Sequence, residues 1–216
     1  MLLIGMFDSP FVRRVAVSMK LLGIPFEHRN WSVGKDQAEI RRYNPLGRVP
    51  TLVLDDGETL VESSAILDYL DEFAGPARAL LPARGAERRL ALKLMSIATG
   101  AADKGVAQLY EGVFRPAEKR HEPWVERCRT QMNEGLAELE RHAARLDRNG
   151  WLLGDRMTQA DITVTAAVTF LHEALNLDVV PFPALMRQVA RCEALPAFRE
   201  THLPFFKPQS PGTSAA

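Results

Sequence analysis

Two short apolar runs on either side of an acidic-glycine turn constrain this chain more than any other stretch. Asn44-Pro45-Leu46-Gly47-Arg48-Val49-Pro50-Thr51-Leu52-Val53-Leu54 leads into Asp55-Asp56-Gly57, and Thr59-Leu60-Val61 then runs into Glu62-Ser63-Ser64-Ala65-Ile66-Leu67. The pattern predicts a β-hairpin whose second strand feeds a helix starting near Glu62 or Ser63. Pro50 stands where the first strand begins, removes one ladder donor and confines φ. Glu62 and Ser63 have two readings. They are an ordinary helix cap with an acid in the first turn. Alternatively they hold a ligand, because unpaired amides at a helix N-terminus take a carboxylate and a side-chain carboxylate takes an ammonium.

Upstream, the apolar run Leu2 to Phe7 is bounded by Asp8-Ser9-Pro10, a strand followed by a helix start. Pro10 suits the first helical position behind a cap at Ser9, since the amide it lacks has no partner there. Val12, Val15, Ala16, Met19 and Leu22 recur at helical spacing until Gly23 and Pro25. Phe26 to Trp31 reads as a second strand and Lys35 to Arg42 as a short helix. The helix from Glu62 to Phe73 carries Ile66, Leu67 and Leu70 on its apolar face.

The Val-Pro entering a strand, the hairpin, and the acid plus Ser opening the next helix together resemble the glutathione-binding half of the glutathione S-transferase family. The Ser9–Val15 run resembles the corresponding stretch of many bacterial serine-type members. The resemblance implies an α+β chain, a thioredoxin-like N-terminal domain in the order βαβαββα followed by an all-α C-terminal domain. It also implies glutathione as co-substrate, a hydrophobic electrophile as second substrate, and a homodimer. Under it, the Val49 backbone pairs with the cysteinyl part of glutathione with Pro50 cis, Glu62 and Ser63 hold the γ-glutamyl end, and Phe11 and Arg48 join the glutathione site. The Ser9 hydroxyl would donate to the glutathione sulfur and favour the thiolate, with Asp8 as the neighbouring alternative and a plain helix cap as the competing role. Lowering a thiol pKa by roughly two units from about 8.5 requires about 2.7 kcal/mol. One hydrogen bond to a charged group supplies roughly 1.5–3 kcal/mol, and a helix N-terminus adds a few tenths to about one more. Phe7, Tyr110 and Phe114, with Phe11 also in reach, are candidates for the electrophile pocket, although aromatic residues at helical spacing more often pack a core.

Two departures narrow the class. No cysteine lies in the N-terminal half, so exchange through a protein thiolate is not expected. The family's isomerase branch typically has a Ser-rich run with Cys where this chain has Asp8-Ser9-Pro10-Phe11. The leading reading is therefore conjugation of glutathione to a small apolar electrophile. A family-fold regulatory or interaction protein, and a glutathione-dependent dehalogenase or isomerase, are the alternatives.

Gly75 to Gly85 is rich in breakers and reads as a linker, giving domains at 1–75 and 86–207, with 76–85 between them and a flexible tail at 208–216. Leu90, Leu94, Ile97 and Ala101 mark a long helix over 86–114. Val125, Cys128, Met132, Leu136, Leu139, Ala143 and Leu146 mark another over 123–146. Ile162 to Phe170 has strand propensity. Thr158 and Asp161, however, are spaced as a capping box, with Met157 and Ile162 placed to staple it, and resemble the capping segment of the family's buried helix. Shorter helices are expected at 182–192 and 194–202.

Lysine plus arginine equals aspartate plus glutamate, 27 each, so no overall field draws in nucleic acid or an anionic membrane. The first residues carry no basic leader and no run is long enough to span a membrane, which makes the cytoplasm the expected location. Cys128 and Cys192 form no C-x-x-C and suit reduced packing thiols. The five histidines lack ligand spacing, and no phosphate-loop or zinc-protease motif is present, so no metal site is expected. Lys35, Arg41, Arg42 and Arg48 cluster locally and could meet the glycyl carboxylate of glutathione, though such charges are usually solvated. Asp103 reads as a solvated helix acid, or, as in some relatives, one that reaches glutathione from a partner subunit.

Overall fold

The hairpin forms the edge of a four-stranded sheet in the computed structural model, which describes residues 1–146 and 150–205. β1 (Leu2–Ile4) lies parallel to β2 (Glu27–Arg29) and antiparallel to β3 (Thr51–Val53), which pairs antiparallel with β4 (Thr59–Val61), giving the order β2-β1-β3-β4. Leu3, Ile4 and Leu52 are fully buried. α1 (Pro10–Leu21), α2 (Gln37–Arg41) and α3 (Ser63–Ala74) complete this half. Strand, helix, strand, helix, hairpin, helix is the order expected.

Asp71, near the end of α3, accepts from the amides of Leu80 at 2.7 Å and Leu81 at 3.0 Å. The Leu80 carbonyl in turn accepts from Gln159 N at 3.0 Å. The breaker-rich segment is thus tied to both halves of the molecule.

The remainder is helical: α4 (Gly85–Phe114), α5 (Glu122–Ala143), α6 (Gln159–Leu175), α7 (Pro183–Glu193) and α8 (Pro196–Arg199). α4 and α5 begin and end within a few residues of the expected positions. α5 stops at Ala143 rather than Leu146 because the chain tightens into three-residue bonds, Arg145 N to the His142 carbonyl and Leu146 N to that of Ala143, both 3.2 Å. α8 is shorter than 194–202 for the same reason, since Thr201 N and His202 N reach back only three residues. The second strand is also shorter than expected, three residues rather than six, closed by Trp31 N turning back to the Arg29 carbonyl. The expected tail at 208–216, and the domain end at 207, lie outside the described residues.

α6 settles the competition between β propensity and the capping signal in favour of the cap. The Thr158 hydroxyl accepts from Ala160 N, and the Asp161 carboxylate accepts from Thr158 N at 2.8 Å. That carboxylate, itself fully buried, also takes Leu152 N at 2.9 Å, the Thr158 hydroxyl at 3.0 Å and Gln188 Nε2 at 2.6 Å. One side chain therefore joins the loop before α6, its first turn, and α7. Once started, α6 is buried on nearly every face, and its β-branched residues pack rather than pair. Gly105 lets α4 approach α6: a Cβ there would stand 2.2 Å from Leu171 Cδ2. Among the described residues no helix is long and apolar enough to cross a membrane. Both cysteines are buried free thiols, and burial pushes that of Cys192 up to about 12.

Asp161→Asn keeps the volume but loses the charge and turns one acceptor into a donor that faces donors. It is expected to cost roughly 1.5–3 kcal/mol, read as a lower urea midpoint at unchanged m.

Candidate functional site

Three chain segments meet at the C-terminal side of β1. The first is the β1–α1 turn. Ser9 caps α1 in extended conformation (φ −74°, ψ 126°), its Oγ accepting from Val12 N at 3.5 Å. Only an acceptor lone pair is engaged in that bond. The hydroxyl proton remains available to a group outside the helix, so capping and donation to a ligand are compatible.

The second is the loop before β3. Asn44, buried, donates from Nδ2 to the Arg48 carbonyl at 2.8 Å and accepts Leu46 N at 3.0 Å, which holds the loop in one shape. The Val49–Pro50 bond is cis. Among the described residues no backbone partner takes the Val49 amide or carbonyl. Val49 packs directly on the end of β1, where Gly5 has φ +130°. A Cβ on Gly5 would meet Val12 Cγ2 at 2.5 Å and Val49 Cβ at 2.8 Å. Gly5 thus lets α1 and the Val49 loop close onto the same strand end.

The third is the β4–α3 junction. Glu62 caps α3 with φ +71°, a left-handed conformation that costs a non-glycine residue roughly 1–3 kcal/mol. Its Oε1 accepts from Ser64 N at 3.1 Å and from the Ser63 hydroxyl at 3.0 Å. Behind it lies Arg14 of α1, 2% exposed. Nη2 of Arg14 donates to Ser63 Oγ at 2.7 Å and Ser64 Oγ at 2.9 Å, and its Nη1 to Thr163 Oγ1 of α6 at 3.4 Å. Burial lowers the Arg14 pKa to about 10 against the opposing pull of Glu62 and Asp103, so it stays charged at neutral pH. Burial alone would raise the Glu62 carboxyl. Bonds from Ser64 and Ser63 and the charge on Arg14 outweigh it and hold the group below the ordinary carboxylate range.

α4 closes the opposite side. Asp103, Tyr110 and Phe114 are seven and four residues apart and share one helix face. Burial pushes the Asp103 carboxyl up, Arg48 pulls it down and Glu62 pushes it up, with Lys104 and Arg14 pulling down. Asp103 therefore feels both the loop before β3 and the β4–α3 junction of its own chain. Burial likewise raises the Tyr110 phenol, with Arg48 lowering and Asp8 raising it. Tyr110 and Phe114 meet edge to face at 5.0 Å and are 42% and 56% exposed.

The sheet order thus brings Ser9, Arg48, Val49, Pro50, Glu62 and Ser63 to the C-terminal side of β1, with Tyr110 of α4 within electrostatic reach of Arg48 and Asp8 and Phe114 against Tyr110. Phe11 is half-buried on α1 against the core. Phe7 packs on β2. Its ring stacks on His28 at 3.9 Å, in a hollow walled by Lys20, Ile24, Pro25, Phe26 and Glu200. Arg42 pairs with Glu39 at 2.8 Å on the surface of α2. Among the described residues no group of three His, Cys, Asp or Glu could hold a metal ion.

No sequence motif marks Arg14, Asn44 or Gly5 as part of this arrangement. The available signal was Arg13-Arg14 in the middle of the apolar repeat of α1, since an arginine buried there must find acceptors.

Residues 3–78 match the family model described as glutathione S-transferase, N-terminal domain, and residues 122–200 the one described as glutathione S-transferase, C-terminal domain. The chain is 33% identical to the uncharacterized GST-like protein YibF of Escherichia coli K12, over 80% of this chain and 82% of the relative. It is 30% identical to a probable maleylacetoacetate isomerase of Vibrio cholerae, over 93% and 94% of the two chains. A crystal structure of a glutathione S-transferase from Methylobacterium radiotolerans in complex with glutathione sulfonate superposes with a TM-score of 0.86. Its identity is 29%, and the match covers 100% of this chain and 98% of that one.

Gly5→Ala forces a Cβ between Val12 and Val49. It is expected to cost roughly 1–3 kcal/mol by overpacking, measured by chemical denaturation, and to broaden or shift the NMR amide resonance of Val49 more than those of α5.

Proposed function

Because the chain belongs to the glutathione S-transferase family, we propose that it is a glutathione-dependent enzyme in which Ser9 stabilises the glutathione thiolate. The observation that carries this reading is the Ser9 hydroxyl at the N-terminus of α1, its proton unused by the cap, beside an open Val49 backbone and the Glu62–Ser63 junction. Glutathione would lie extended along Val49. Its γ-glutamyl ammonium would meet the Glu62 carboxylate, and its α-carboxylate the Ser63 and Ser64 end of α3. Arg48 stands near the mouth as a cation for the glycyl carboxylate. Phe11 serves the site from α1 by packing behind it, and Tyr110 and Phe114 offer the second substrate an aromatic wall with one phenol.

In conjugation the thiol proton leaves to solvent, the thiolate electron pair forms a bond to an electrophilic carbon, and a leaving group departs with its own pair. Ser9 keeps its proton throughout and donates it as a hydrogen bond to the sulfur. As glutathione is drawn away from the thiol form, the bound pKa falls below about 8.5.

A second reading has a specific observation behind it. Relatives named maleylacetoacetate isomerase align over nearly the whole chain, including those of Vibrio cholerae and Pseudomonas aeruginosa. In isomerisation the same thiolate adds to a carbon–carbon double bond, the resulting single bond rotates, and expulsion of the thiolate restores the double bond. Glutathione is then regenerated. Stoichiometric loss of thiol during turnover supports conjugation, whereas product from maleylacetoacetate at constant glutathione supports isomerisation. In either case we assign the chain to a reducing cytoplasm, with a second copy as partner, in line with its family and its free thiols.

The ultraviolet difference spectrum of bound glutathione, recorded across pH, tests the shared step. A thiolate present well below the free thiol pKa is expected. In Ser9→Ala that pKa should rise by about one to two units, the loss of one charged hydrogen bond, with little change in binding. A wild-type thiol that titrates normally would leave a binding protein without this catalytic step. Glu62→Gln is expected to weaken glutathione binding about tenfold or more, about 1.4 kcal/mol, by removing the partner of the ammonium. Wild-type affinity should hold as pH falls from 7 to 5, because Glu62 remains ionised there.

A further inference from the structure

Adjacent arginines on α1 leave the helix in directions about 100° apart. Arg14 goes to α3, as described above. Arg13, 3% exposed, goes to the C-terminal helices: its Nη1 donates to Glu193 Oε1 at 2.8 Å, and its Nη2 to Glu193 Oε2 at 2.6 Å and to the Phe198 carbonyl at 3.0 Å. Glu193, the last residue of α7, also accepts the Thr169 hydroxyl of α6 at 2.6 Å. A single side chain of α1 is thereby clamped by α7 and α8, with α6 bracing the carboxylate that holds it. The clamp sits at the turn that carries Ser9, since Arg13 N makes the first helical bond to the Ser9 carbonyl at 2.9 Å.

We propose that the Arg13–Glu193 pair positions the Ser9 hydroxyl, fixing the roll of α1 about its axis from the C-terminal half of the molecule. This rests on the assignment of Ser9 made above. Arg14 restrains the helix on one side and Arg13 on another, and two restraints in different directions are what a rigid cylinder needs to stop turning. A roll of about 10° moves an atom about 5 Å from the axis by just under 1 Å. That displacement is enough to lose a hydrogen bond of ordinary length, and misplacements of this size can cost about a hundredfold in rate. Arg13 and Glu193 together are neutral, so their effect on the sulfur is one of geometry. The charges close to the site, Arg14, Glu62, Asp103, Arg48 and Asp8, are untouched by their replacement.

Opposite charge changes with the same outcome distinguish position from field. Arg13→Met removes a cation and Glu193→Gln an anion, each breaking the two-pronged bond. Acting through space, they would move the pKa of the bound glutathione thiol in opposite directions, Arg13→Met up and Glu193→Gln down. Acting through Ser9, both raise it, by about one unit, a roughly tenfold smaller thiolate fraction at pH values below both pKa values. Affinity for S-methylglutathione, which has no thiol to ionise, stays within about twofold. Thr169→Val, which strips one donor from Glu193, gives a smaller rise and serves if Arg13→Met does not fold.

Wild type and Ser9→Ala are measured alongside. If wild type has a low thiol pKa that Ser9→Ala raises but both clamp variants retain, with only their melting temperatures lowered, the pair is a structural tie and the proposal is overturned. Opposite shifts overturn it as well. A wild-type thiol with ordinary titration brings down the Ser9 assignment, and this proposal with it.

Discussion

A guanidinium buried between two halves of the molecule sets the terms for everything around it. Arg14 is drawn almost completely out of water, which is tolerable only where acceptors and counter-charge surround it. The acceptors are hydroxyls of Ser63, Ser64 and Thr163, and the counter-charge comes from Glu62 and Asp103. Those groups come from α3, α4 and α6, so satisfying one cation pulls three helices onto α1. The same arrangement holds Glu62 in a backbone conformation that a free chain avoids. Both the strain at Glu62 and the burial of the cation are costs, and the hydrogen bonds that offset them run through Ser63 and Ser64, which take the guanidinium on their hydroxyls and give the Ser63 hydroxyl and the Ser64 amide to the carboxylate.

Ser9 illustrates how one residue can cap a helix and still keep its hydroxyl proton for another partner. Its oxygen lies 3.5 Å from Val12 N, at the long limit of a hydrogen bond. The helix therefore draws little from it. Such a hydroxyl is free to turn its proton outward at small cost to stability, and the amides of the first turn, only partly satisfied, face the same space.

How far the sequence could be read follows from which forces act locally. The hairpin at Asp55-Asp56-Gly57 and the capping box at Thr158 and Asp161 are written in short-range chemistry, and both were legible. The cap also resolved α6, where β-branched residues over 162–170 argued for a strand. For Arg13 and Arg14 the place in the apolar repeat of α1 signals burial but not partners, because their acceptors come from α3 and α7, far away in the chain. Phe7, placed just after β1, reads in the sequence as a pocket candidate. Its ring instead follows His28, which is held by a bond from Nε2 to the Gly5 carbonyl at 2.7 Å, a contact across strands that no local pattern encodes. Asp103 reads in the sequence as a solvated acid or one acting across subunits, whereas its electrostatic neighbours include Arg48 and Glu62 of the same chain.

α4 presents two faces with unequal freedom to change. On one, Gly105 admits Leu171 so closely that a Cβ would force that leucine side chain to move, and the neighbouring Ala98, Ala101 and Ala102 are buried. On the other, Tyr110 and Phe114 stand half in solvent. Packing against α6 thus restricts what can stand on the first face, while the exposed aromatic pair can be replaced without disturbing the buried contacts of the bundle. Divergence of substrate preference within this architecture can proceed by exchanging the outward residues of one helix, with its spacing inherited unaltered.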